Sequence, residues 1–112
     1  MRRRTSQIVA DIRRGSTPTI RLPTPYEYSI IDDCFITFEQ RGEVVFEKRL
    51  SDPGVSFDTG YVQTELTQEE TLKLTTADVL KVQARFVLSY GKRAASGLQV
   101  YSVSDILKEG EI

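Results

Sequence analysis

The stretch DCFITFEQRGEVVFEKRL, residues 33–50, decides the fold. Its first half alternates, with Cys34, Ile36 and Phe38 on one side and Phe35, Thr37 and Glu39 on the other. Period-two alternation marks a half-buried β-strand. Arg41-Gly42-Glu43 reads as a hairpin turn, and residues 43–50 return antiparallel with Val44, Phe46 and Leu50 on one side.

Strand signals continue on both sides of this hairpin. Upstream, the sequence predicts a strand over residues 17–22, and Pro18, followed by Pro23 and Pro25, makes it an edge strand, because proline cannot donate to a ladder. Downstream, Asp52-Pro53-Gly54 is a turn signature, and short strands follow at about 55–58 and 60–66, the second pointing Val62, Thr64 and Leu66 inward. KVQARFVLSY, residues 81–90, places Val82, Ala84, Phe86, Leu88 and Tyr90 on one face. Gly91-Lys92 turns the chain into a last strand at about 95–104.

One segment breaks the pattern. LTQEETLKL, residues 66–74, carries a capping box: Thr67 can accept from the Glu70 N–H while the Glu70 carboxylate accepts from the Thr67 N–H. The spacing predicts a helix of about two turns ending near Leu74 or Thr75. Frequent turns and strands about ten residues apart predict an all-β fold, an antiparallel β-sandwich of about seven strands. The helix is then a crossover between the two sheets.

Residues 1–21 hold six arginines against Asp11 alone, while the rest of the chain holds nine basic and fifteen acidic side chains. Residues 1–16 therefore read as a basic N-terminal arm outside the core, and residues 17–112 as one sandwich domain. Arg2, Arg3 and Arg4 could contact phosphates, but the acidic body and the lack of interleaved aromatics argue against a nucleic-acid partner. No membrane partner is expected, since no stretch is long and apolar enough to span a bilayer. No apolar run follows the basic start, so no signal peptide is expected either.

Histidine is absent, which excludes a Ser-His-Asp or Cys-His constellation within the chain. Cys34 is the only cysteine and falls on the inward face of its strand, where a small buried hydrophobe is expected. The glycines are scattered among turns and ends, so there is no phosphate loop. Asp32-Asp33 would point to opposite faces of a strand, and Glu69-Glu70 is explained by capping. Residues 52–58 lack the ligand spacing of an EF-hand. These readings predict no catalytic residue, no metal and no cofactor.

RRGSTPTIRLP (13–23), ELTQEETLKL (65–74) and VSDILKEGEI (103–112), taken together, resemble small proteins encoded in the tail and structural modules of siphophages and prophages of Gram-positive bacteria. The N-terminal domain of phage upper baseplate proteins is related in kind. The resemblance covers the chain from Arg13 onward and leaves residues 1–12 outside. It implies an immunoglobulin-like fold and a non-catalytic virion structural protein of the tail, baseplate or neck, made in the bacterial cytoplasm and localised to the virion.

Its expected partners are other virion proteins and further copies of itself. The expected contact residues are Arg2, Arg3, Arg4, Arg13, Arg14, Thr17, Thr19, Arg21 and Ile112. A second expectation, from another class, is a host-surface or carbohydrate-binding sandwich, presenting some of Tyr26, Tyr28, Tyr61, Tyr90 and Tyr101 as an exposed platform.

Overall fold

In a computed structural model, which describes residues 7–112, the 33–50 stretch forms the expected hairpin. Nine strands follow in chain order: β1 (Ile8–Arg13), β2 (Thr19–Pro23), β3 (Ile31–Gln40), β4 (Glu43–Arg49), β5 (Val55–Asp58), β6 (Tyr61–Glu65), β7 (Leu80–Leu88), β8 (Arg93–Ala95) and β9 (Gln99–Ser104). One helix, α1 (Gln68–Leu72), lies between β6 and β7, and a single 3-10 turn spans Tyr28–Ile30.

The strands form two sheets. One runs β1-β9-β7-β3-β4, with β8 also paired to β7, and the other runs β2-β6-β5. The fold is an all-β, immunoglobulin-like sandwich. In such domains a β4-type strand added beside the β3 position belongs to the variable-type layout. The inter-sheet disulfide common in these domains is absent, since Cys34 is a free, fully buried thiol on β3. Ile20 and Leu22 of β2, Ile36 and Phe38 of β3, Val62 of β6 and Phe86 of β7 fill one continuous buried cluster instead.

The hairpin turn has positive φ at both Arg41 (56°) and Gly42 (77°). That is the type I′ geometry, whose twist matches that of the strands it joins. A β-bulge between Phe38 and Glu39 then adds one residue on β4, because Phe38 pairs with Phe46 but Glu39 pairs with Val44. The expected face of β4 is therefore corrected: Val44 is turned out to solvent and Val45 packs on the core. Phe46 keeps its inward place, stacked on Phe38 at 4.5 Å.

The largest correction concerns the expected arm at residues 1–16, whose first six residues lie outside the described ones. From Ile8 to Arg13 the chain is not an arm but an edge strand, paired parallel to β9, with Ile12 buried in the core. Asp11 accepts hydrogen bonds from the hydroxyls of Ser102 (2.7 Å) and Ser104 (2.6 Å) and so fixes the register. The sandwich thus has nine strands and one parallel pair, where about seven antiparallel strands are expected from the sequence.

Other elements differ by residues. β2 begins at Thr19, and it is an edge strand as predicted. The capping box of α1 is formed, but the helix stops after five residues. Bonds from Lys73 N–H to Glu70 O and from Leu74 N–H to Thr71 O tighten its last turn and end it. Tyr90 lies past the end of β7 and is exposed. The last strand is split: at the break, Ser96 donates its N–H to Ala84 O, and its hydroxyl accepts from Ala84 N–H. The backbone groups of Ala84 thereby stay satisfied where the strand bends.

Candidate functional site

Of the expected contact residues, Arg2, Arg3 and Arg4 lie outside the described residues. Arg13 and Arg14 are turned to the domain's own use. Arg13 donates to Asp105 O at 2.8 Å. Arg14 donates to the carbonyls of Leu72 (3.2 Å) and Leu74 (3.0 Å) and pairs with Asp105 (2.6 Å) and Glu109 (2.9 Å). It is a clasp between the N-terminal strand, the helix and the C-terminal segment.

Thr17 and Thr19 are exposed. Arg21 pairs with Asp58 at 3.2 Å and lies 4.2 Å from the centre of the Tyr61 ring. Ile112 exposes its side chain almost completely, while its backbone makes two hydrogen bonds with the Gln68 side chain (2.8 and 3.2 Å). Among the described ones, Arg14 and Ile112 both meet α1, at Leu72 and Gln68, while Arg21 sits with Asp58 of β5 and Tyr61 of β6.

Three other surfaces stand out. The first is the outer edge of β1. Ile8 and Val9 are each 54% exposed, although they are neighbours on a strand and point to opposite faces. Leu98, just before β9, is 45% exposed. Arg14 N–H bonds to Ser104 O, so the N–H groups of Asp11 and Arg13, out of phase with it, face away from β9. Among the described residues β1 ends the sheet, and no strand pairs with its outer backbone.

The second is a groove of about 810 Å³ beside β5. Sheet one ends at β4, and β5 is an edge strand of the other sheet. Val55 and Phe57 are only half-buried, and Leu50 and Tyr26 lie beside them. Tyr28, 66% exposed, stands 5.1 Å from Phe57. Glu27 and Asp58 also line the groove. Of the five tyrosines only Tyr26 and Tyr28 are here; Tyr90 is beyond β7, and Tyr101 is buried.

The third is a shallow pocket of about 370 Å³ on the outer face of sheet one, lined by Phe35, Val87, Arg85, Arg93 and Glu47, whose carboxylate accepts from the Thr37 hydroxyl at 3.0 Å. Arg49 lies 4.9 Å over Phe35 and pairs with Asp33 at 2.7 Å. Hydrogen bonding from Arg49 holds the Asp33 carboxyl below the usual carboxylate range. Among the described residues neither Arg85 nor Arg93 has an acidic partner within ion-pair distance.

Chemically reactive groups are quiet. Burial pushes the Cys34 thiol up to about 12, far from the thiolate needed for nucleophilic or redox work. Among the described residues no group of three or more Cys, Asp or Glu side chains could hold a metal ion, and no helix is long and apolar enough to cross a membrane.

Sequence reasoning missed the edge of β1 because the excess of arginine in residues 1–21 read as a basic arm outside the core. The adjacent β-branched Ile8-Val9 was the strand signal available. The groove and the arginine pocket are built from residues far apart in sequence and have no local signature.

No family model matches the chain, and no curated protein does. Among solved structures it is similar to the extracellular domain of mouse leukocyte-associated immunoglobulin-like receptor 1, crystallised as a strand-swapped dimer: 11% identity over 88% of this chain and 87% of that one, TM-score 0.42. It is also similar to the V domain of amphioxus IgVJ-C2, at 12% identity over 88% of this chain and all of that one, TM-score 0.38. The immunoglobulin-like assignment stands on the strand order itself.

Proposed function

We propose that the protein is a non-catalytic docking module that joins other proteins through its sheet edges, as a structural component of a phage or prophage virion. The observation that carries the docking reading is the edge of β1, with Ile8 and Val9 exposed on both faces and the outward N–H groups of Asp11 and Arg13. A partner strand laid along β1 would satisfy that backbone and cover both side chains. The virion setting rests on the resemblance of residues 13–23, 65–74 and 103–112 to tail-module proteins.

The test is co-expression with the products of the genes that flank its own. Copurification with one of them, lost on Val9→Pro, is the expected result. A stable complex that tolerates Val9→Pro and Ile8→Glu contradicts docking at β1, and flanking genes unrelated to virion assembly contradict the setting.

The groove supports a second reading, a carbohydrate- or host-surface-binding module. Its support is the exposed Tyr28 ring beside Phe57, with two carboxylates nearby. Glycan binding that disappears in Tyr28→Ala would favour it over edge docking.

A further inference from the structure

We infer that the C-terminal segment of one copy docks into the arginine pocket on the outer face of sheet one of a second copy, so that the chains associate head to tail. This goes beyond the edge-docking reading and uses different surfaces, so the two are tested separately.

The segment is held out for such a contact. Leu107 is fully exposed, Ile112 is 89% exposed, and Glu111 between them is exposed as well. Apolar side chains on a loose tail would cost little, because a loose tail can fold them back. This tail is fixed instead: Arg14 grips Asp105 and Glu109, and Gln68 holds the backbone of Ile112 at both N–H and C=O. Leu107, Ile112 and the Glu111 carboxylate are thereby presented to solvent from an ordered backbone, with Lys108 exposed beside Leu107.

The pocket has the complementary character. Phe35 and Val87 are half-buried on a sheet face, and Arg85 and Arg93 stand beside them without an acidic partner. An occupant needs apolar side chains for Phe35 and Val87 and a carboxylate for the guanidiniums. Leu107, Ile112 and Glu111 supply that set. The groove beside β5 is the poorer match, since its lining carries Glu27 and Asp58 and no basic side chain, whereas in the pocket Arg85 and Arg93 outnumber Glu47.

The tail cannot reach its own pocket. β9 enters the tail beyond Tyr101, which pairs with Leu80 at the start of β7, whereas Val87 and Arg93 pair near the other end. Seven residues of strand separate Leu80 from Val87, roughly 23 Å at about 3.3 Å per residue. Gln68 on α1 holds the far end of the tail at the helix. The two surfaces differ and lie toward opposite ends of the sandwich, so a contact between copies is heterologous, and it propagates into a ring or a filament.

The test uses the full chain and two double variants, R85E/R93E in the pocket and L107S/I112S in the tail, followed by sedimentation velocity across concentration and salt. All four positions are exposed or line an open pocket, and circular dichroism checks that both variants fold. The wild type should form species larger than a dimer, weakened by added salt. Each variant alone should lose at least about tenfold in association constant. A mixture of the two variants should give a 1:1 dimer and nothing larger, because only one productive tail-pocket contact remains. Oligomers that survive both variants overturn the head-to-tail contact but leave docking at β1 in place, since that has its own variants. A wild type that stays monomeric overturns the inference too, and copurification with a flanking-gene product then decides the docking reading separately.

Discussion

The ammonium of Lys48 on β4 stands 2.9 and 3.0 Å from the two carboxylate oxygens of Glu70 on α1. Lys48 pairs with Ile36 across the hairpin and shares its inward face, so its stem is buried and its charge has to find a partner inside the sandwich. The same Glu70 carboxylate accepts the Thr67 N–H that starts the helix. One glutamate thus caps the crossover helix and neutralises the buried lysine, tying the edge of one sheet to the end of the other.

Removing one member of this pair should cost more than replacing the lysine. Glu70→Ala strands a buried ammonium and an uncapped N–H, and an expected loss of about 2–4 kcal/mol follows from these two effects. Lys48→Met keeps the apolar stem and leaves only the partly exposed Glu70, so about 1 kcal/mol or less is expected. Urea unfolding at neutral pH measures both. Equal losses would mean that the pair does not act as described.

Arg14 should control the order of the C-terminal segment. Arg14→Ala removes its bonds to Leu72, Leu74, Asp105 and Glu109, with an expected loss of about 1–3 kcal/mol. The sharper readout is trypsin cleavage after Lys108, which should become faster in Arg14→Ala while the strands stay resistant. Unchanged cleavage would show that Arg14 does not hold the tail.

Cys34 should be inert while the protein is folded. With the thiol buried and raised to about 12, labelling by a thiol reagent at mildly alkaline pH should proceed no faster than unfolding. Rapid stoichiometric labelling of native protein would place Cys34 at the surface.

Acid should weaken the fold. Asp33 is lowered by Arg49, Asp11 by Ser104 and Ser102, and Asp105 by the Ile106 N–H and then by Arg14, each from an ordinary 3.8. The unfolded chain then binds more protons as pH falls, so the stability these groups add is present above about pH 4 and is lost as pH drops through their folded values. Urea midpoints should fall as the pH is lowered below about 4. Asp33→Asn should start lower at neutral pH and fall less steeply.

The strands were legible where alternation was clean. Cys34, Ile36 and Phe38, and Val82, Ala84, Phe86 and Leu88, face inward as their period requires, and the Thr67/Glu70 capping box is formed. Two kinds of feature were not legible. β1 pairs with a strand more than 90 residues away, and nothing near Ile8 in the sequence announces that partner. The bulge opposite Phe38 inserts one residue and reverses the facing of Val44, an effect that period counting cannot foresee. Arg14 shows the same limit at the level of sites: a charge in a basic run looks free until Asp105 and Glu109 arrive from the other end of the chain.

Hydrogen exchange by mass spectrometry, comparing the isolated protein with the protein in its assembled complex, tests the edge-docking account most directly. The account predicts slower exchange over residues 8–13 in the complex, as a partner strand takes up the outward N–H groups of β1. Unchanged exchange there, with new protection confined to residues 24–30 and 55–60 around the groove, would contradict it.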